Sequence, residues 1–213
     1  MATDIPEDED RRGLAGHRDA ARHRDHYSAV GILFHWTMAA LILFQLWWGW
    51  RASRLPVGWE KLAAYELHFQ LGMAVLLIAL ARIAYRIAIP RPEVTDDVQG
   101  WQRLASEAVF WLFYLLMIGL PVSGWLMMAA TGGRHLPDLF GILPWPHLAM
   151  FDDMSPARRQ AWEAAAEWTH FLMIWTMGLL TLGHAGFALL HHFVFKDPVL
   201  TRMIPALPEP EPD

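Results

Sequence analysis

The sequence predicts an all-α integral membrane protein, a bundle of four spanning helices with both termini cytoplasmic, and three observations carry the fold. The 213 residues are 54% hydrophobic and include 12 tryptophans, which is too apolar and too rich in indole for a soluble domain of this length. Four segments are each long and apolar enough to cross a hydrocarbon core that requires about 20 helical residues. Their apolar runs are continuous rather than alternating, and far longer than the roughly ten residues of a barrel strand.

The chain opens on a charged leader, residues 1–28, beginning "MATDIPEDEDRRGLAGHRDAARHRDH". Its apolar content is too low for it to fold alone, so disorder is expected. The first span, Ala29 to Trp50, lies too far from the start and runs too long to be a cleaved signal peptide, and is read as retained. The second runs from Leu67 to Ile89, the third from Ala105 to Ala130 and the fourth from Trp168 to Phe195. In the third, "LPVSGW" combines Pro121, which removes a backbone donor, with Gly124 in the same turn, so a kink is expected. Having no histidine, this span reads as a packing helix rather than a source of ligands. The long connection from Thr131 to Trp162 holds "LPWPHLAMFDDMSP", whose prolines and aromatics suggest an ordered cap at the outer end. The single transmembrane unit, residues 29–203, is followed by a proline-rich acidic tail, 204–213, that is expected to be disordered.

Basic residues set the orientation. With the N-terminus inside, eleven Lys and Arg fall on the cytoplasmic side and six on the outer side, which places both termini in the cytoplasm. The outer six are Arg51, Arg54, Lys61, Arg134, Arg158 and Arg159. The net charge of -5 is spread over tails and loops and names neither a nucleic acid nor any other partner beyond membrane lipid. Cysteine is absent, which excludes disulfides, thiolate-held iron–sulfur clusters and covalent c-type haem.

The histidines carry the chemistry. His170 and His184 bracket the stretch "HFLMIWTMGLLTLGH". Fourteen residues at about 100° each return to within about 40° of the starting direction, so both rings face one side, about 21 Å apart along the axis. His35, near the cytoplasmic end of the first span, is level with His184; His68, opening the second span, is level with His170. Two pairs at two depths follow from topology. Imidazoles facing each other across a bundle can hold a haem iron from both sides, which leaves no open iron position and points to electron transfer. The bland alternative is that these histidines bond between helices or line a polar cavity.

Other residues fit without deciding the matter. Gly72 lies one turn after His68, where a missing side chain would admit a porphyrin or merely allow close helix packing. Arg82, fourteen residues after His68, would pair with a haem propionate or simply snorkel to the cytoplasmic surface. His191 and His192 at the inner end of the fourth span would reach a quinone headgroup as proton donor or contact, or anchor the helix in the interface.

These residues sit in motifs. "FHW" in the first span, "ELHFQLG" opening the second, "LPVSGW" in the third and "HAGFALLHHFVFKDPVLTRM" in the fourth resemble the bacterial cytochrome b561 family over roughly Tyr27 to Met203. The resemblance implies a bacterial inner-membrane protein with two haem b groups, their ligands His35 with His184 and His68 with His170. It further implies an oxidoreductase similar to superoxide oxidase, which takes electrons from superoxide, or from another periplasmic donor, and reduces ubiquinone. The connecting loop would then cap the outer haem, and pairing of two copies into a homodimer is left open. Asp138, Asp152, Asp153, Glu163 and Glu167 lie among the outer basic residues, so no clean positive funnel for an anion is visible.

Two other functions compete. The same design serves as the membrane cytochrome subunit of larger dehydrogenases and hydrogenases. A metal-ion transporter would use the 11 histidines and 11 methionines, but these show no closely repeated ligands along any span.

Overall fold

Helix α1, Ala29–Arg54, starts at Ser28, whose Oγ accepts a hydrogen bond from the Gly31 N–H at 3.1 Å in a computed structural model of the chain. The structure describes residues 28–88, 100–131, 138–196, 200–204 and 206–207. The expected disorder of the leader and of most of the tail concerns residues outside this set, as do Arg91 and Arg134.

Three further helices follow: α2, Trp59–Ala88; α3, Gly100–Ala130; and α4, Pro156–Leu190, which runs into a π-helical turn, His191–Phe195. All four are long and apolar enough to cross a membrane, and no strand forms among the described residues. Their large apolar side chains point outward, with Trp111 and Trp168 each 66% exposed and Leu182 72% exposed. Such a surface is stable only with lipid as its solvent. The chain is a multi-pass membrane protein, as expected.

The helices extend beyond the apolar spans. α4 begins twelve residues before Trp168, so the last part of the expected loop is helical. Ser155 and Pro156 supply a start signal, and "ARRQAWEAAAEW" is rich in strong helix formers that carry the helix into the interface. Likewise α2 begins at Trp59, which puts His68 in its third turn rather than at its opening. An apolar window detects only the part of a helix that sits in hydrocarbon.

Short ties fix the ends. Ser28 Oγ and Tyr85 Oη lie 2.7 Å apart, joining the start of α1 to the end of α2. At the other side Lys61 Nζ donates to the carbonyls of Ser53 and Leu55 at 3.2 and 3.1 Å, holding the α1–α2 turn. Pro121 lies inside α3 without ending it. Trp36 Nε1 donates to the Met203 carbonyl at 2.9 Å, so the turn after the fourth helix is held against α1 beside His35.

Extensive packing runs in sequence order, α1 on α2, α2 on α3 and α3 on α4; α4 touches α1 and α2 only marginally. The mid-depth core between the histidine levels contains Met38, Val75, Ala79, Met117 and Met177. Met38 and Met177 are each 1% exposed, and Met177 lies seven residues from both His170 and His184.

The α3–α4 connection, expected on the outer side, folds over the bundle end. A single antiparallel bridge joins Leu139 and Leu143, with Phe140 at φ 54° and Gly141 at φ 69° making the reversal. Leu139 and Trp145 pack on Phe69 and Met73 of α2, next to His68, and Trp145 meets Trp125 edge to face at 5.5 Å. Further along, Phe151 is buried against Ala129 and Ala130 at the end of α3.

Candidate functional site

Four histidines converge where α4 faces α1 and α2 across a wider backbone separation, bridged by side chains. The outer pair joins α2 to α4: the ring centres of His68 and His170 are 6.3 Å apart. The inner pair joins α1 to α4, with His35 and His184 at 6.1 Å. Two bonds of about 2.0–2.1 Å from a metal to imidazole nitrogen, with about 1.1 Å more from each nitrogen to its ring centre, add up to about 6.2–6.4 Å. The outer separation falls within this range and the inner one just below it, so each pair leaves about the space of one metal between its rings.

The outer pair is held by hydrogen bonds. His170 Nδ1 lies 3.1 Å from the Leu120 carbonyl and 2.9 Å from Ser123 Oγ, while Ser123 Oγ donates to the same carbonyl at 2.8 Å. A carbonyl can only accept, so Nδ1 carries the proton and Nε2 keeps its lone pair for a metal. The third span was expected only to pack, yet it supplies both acceptors. Gly124, one position on, leaves the ring room: a Cβ there would sit 3.6 Å from His170 Cε1.

His68 is set by α1. A Cβ at Gly49 would lie 2.8 Å from His68 Cε1 and 3.2 Å from its Nδ1, so any side chain here would force the His68 ring to shift. One turn earlier, Gln45 Nε2 donates to the His68 carbonyl at 2.8 Å. A Cβ at Gly72 would meet Gln45 Nε2 at 3.3 Å, so the neighbour that approaches Gly72 is this amide.

The inner pair has looser surroundings. His184 is exposed and His35 half-buried, with Phe113 5.4 Å from the His184 ring and Trp36 5.3 Å from the His35 ring. Arg82 lies within electrostatic range of His35, its guanidinium 6.0 Å from the Tyr114 ring centre. One turn on, Arg86 sits 3.9 Å over Phe110. Beyond His184, His191 and His192 belong to the π-helical turn, where Phe187 and Phe195 flank the His191 ring at 4.5 and 5.1 Å. The turn ends at Lys196 in the left-handed region, φ 54°.

Residues 26–206 match the profile of a family described as prokaryotic cytochrome b561. The chain belongs to the prokaryotic cytochrome b561 family. Relatives agree: it is 29% identical over 182 residues to cytochrome b561 homolog 2 of Escherichia coli, covering 84% of this chain and 92% of that one. It is likewise 29% identical over 188 residues to a probable superoxide oxidase, CybB, of Yersinia pestis, covering 84% and 96%. Cytochrome b562 of Cereibacter sphaeroides is 29% identical over 195 residues, covering 84% and 94%.

Membership in the cytochrome b561 family implies b-type haem and electron transport. The residues suit such a group on three grounds: the ring separations, the His170 tautomer, and the marginal contact of α4 with α1 and α2, which leaves width for a macrocycle. Gly49, Ser123 and Gln45 are the site residues that sequence reasoning missed. Gln45 and Ser123 each left a signal, as a polar side chain inside an apolar run, Ser123 within the quoted "LPVSGW".

Proposed function

We propose that the chain is a dihaem b-type cytochrome that carries electrons between the periplasmic side and the quinone pool, oxidising superoxide and reducing ubiquinone. The observation that carries the reading is the repeated spacing, 6.3 and 6.1 Å, of two imidazole pairs at two depths. His68 and His170 would hold the outer haem, and His35 and His184 the inner one. A b haem held by two imidazoles supplies reversible one-electron exchange without an open iron position.

The protein's own groups do the rest. Leu120 and Ser123 orient His170, and Gly49 admits the His68 ring. The loop carrying Leu139 and Trp145 excludes water from the α2 face beside His68. Arg82 offers a positive charge to a propionate at the inner level; among the described residues no carboxylate pairs with it. Gly72 serves the site by making room for Gln45. His191 and His192 lie at the inner end, where a quinone headgroup would need a contact and a proton source, and π-helical turns recur at such sites.

In the overall reaction each superoxide anion gives up one electron and leaves as dioxygen, while ubiquinone takes two electrons and two protons. Both termini are cytoplasmic in this reading, supported by the distribution of Lys and Arg. The substrate is supported by the relative called a probable superoxide oxidase.

A pyridine haemochrome assay on the detergent-purified protein is expected to give two b haems per chain. Under anaerobic conditions, generated superoxide should reduce them and ubiquinone should reoxidise them. Absence of haem from folded protein would overturn the cytochrome reading. Haem indifferent to superoxide but reducible by another donor would overturn the substrate and leave the cytochrome.

A further inference from the structure

On the outer pair the two imidazoles are treated unequally. His170 has its Nδ1 proton placed by Leu120 and Ser123, whereas His68 Nδ1 is sealed from solvent and has no hydrogen-bond partner. A second orphan lies in the same place: Gln45 Oε1 is also buried and unpartnered. The two orphans are a donor and an acceptor. Gln45 is tethered to His68 through Nε2, 2.8 Å from the His68 carbonyl, and Nδ1 faces Gly49, one turn further along the same side of α1.

The amide cannot be turned round, because an oxygen in the place of Nε2 would face the His68 carbonyl oxygen. Oε1 is therefore the atom left to serve the ring. Two buried polar groups without partners each carry a desolvation cost that a bond between them removes.

We infer that Gln45 is a positioning residue for the outer haem: a small shift of the two unpartnered atoms toward each other as the site fills would let its Oε1 accept the Nδ1–H of His68 and leave Nε2 to the iron. This assignment rests on the dihaem reading above. Gln45 thereby does for His68 what Leu120 and Ser123 do for His170, and Gly49 and Gly72 supply the space for ring and amide. An acceptor on Nδ1–H makes the imidazole a stronger donor and favours ferric over ferrous iron.

The test is a redox titration of the purified holoprotein followed optically, with the outer haem identified as the one lost in His170→Ala. Gln45→Met keeps the shape and removes the acceptor; Gln45→Glu, as the neutral acid that burial favours, keeps an acceptor for the ring and an O–H donor for the His68 carbonyl. In Gln45→Met the midpoint of the outer haem should rise by about tenfold in its equilibrium constant, about 59 mV for one electron, while the inner haem stays put. In Gln45→Glu the outer midpoint should stay at or below the wild-type value. If Gln45→Met instead loses the outer haem, its recovery in Gln45→Glu supports the assignment and continued loss overturns it. Unchanged midpoints with both haems retained, or an equal rise in both variants, would also overturn it. A wild-type protein without haem would fail the function itself, whereas a two-haem protein indifferent to Gln45 would fail only this assignment.

Discussion

The outer and inner histidine pairs share their ring separation to within a fraction of an ångström, and differ in nearly everything around them. The outer rings sit among hydrogen bonds from α3, a glycine that fits one ring and a folded loop. Around the inner rings are aromatic side chains and the charge of Arg82, and His184 is exposed in the protein alone. Ring spacing is thus a property of where helices stand, while ring orientation is a property of neighbours. The outer site is organised in advance by polymer contacts, and the inner one leaves more of its closure to whatever fills it.

The largest expected effect tests whether the two pairs are separate. On the proposed dihaem reading, His170→Ala should remove the outer haem and keep the inner, and His184→Ala the reverse, so each variant should retain about half the haem per chain by pyridine haemochrome. Full haem in either variant would remove its histidine from the ligand set.

A methyl group probes the tightest contact. Gly49→Ala places a Cβ 2.8 Å from His68 Cε1, and overpacking of this kind costs about 1–3 kcal/mol. Outer haem retention during purification should drop while inner haem remains. Gly124→Ala, where the Cβ would lie at 3.6 Å from His170, is the internal control and should keep both. Equal behaviour of the two variants would mean that the His68 ring moves freely.

Charge distinguishes the inner pair. Arg82→Leu removes a positive charge near His35 and should lower the inner midpoint, since a cation favours the reduced, more negative haem; a severalfold change in its equilibrium constant, about 1 kcal/mol, is expected for a partly screened charge. The outer midpoint should not follow. A common shift of both would make Arg82 a determinant of the whole bundle rather than of one site.

Ser123→Ala should have the smallest effect. His170 Nδ1 keeps the Leu120 carbonyl, so the loss is one shared neutral hydrogen bond of about 0.5–1.5 kcal/mol. The outer ferric haem should change its electron paramagnetic resonance signal slightly, with no loss of haem and no change at the inner site.

Much of this arrangement was legible in the sequence because it follows from periodicity. The fourteen-residue spacing of His170 and His184 forces both onto one face, and antiparallel neighbours bring His35 and His68 to matching depths. What escaped notice depends on contacts between helices. Gly49 stands in "QLWWGW", and nothing in that string says that an imidazole from α2 will press against it. The role of α3 was hidden for a similar reason: its contribution to His170 is partly a backbone carbonyl, which has no letter of its own. Helix ends were misplaced at Trp59 and Pro156 because helix formation continues past the apolar stretch that hydropathy detects.

The methionine-rich layer between the two histidine levels carries one more consequence. Met38, Met117 and Met177, with Val75 and Ala79, fill the middle of the bundle with side chains that donate no hydrogen bonds. The buried hydroxyls of Tyr114 and Thr181 have no hydrogen-bond partner, and isolated hydroxyls make no continuous relay for a proton. Tunnelling electrons need only dense matter, which thioether and methyl groups provide. On the proposed dihaem reading, the same few side chains would let electrons pass between the two levels while offering protons no continuous path, so charge would cross without the membrane leaking acid.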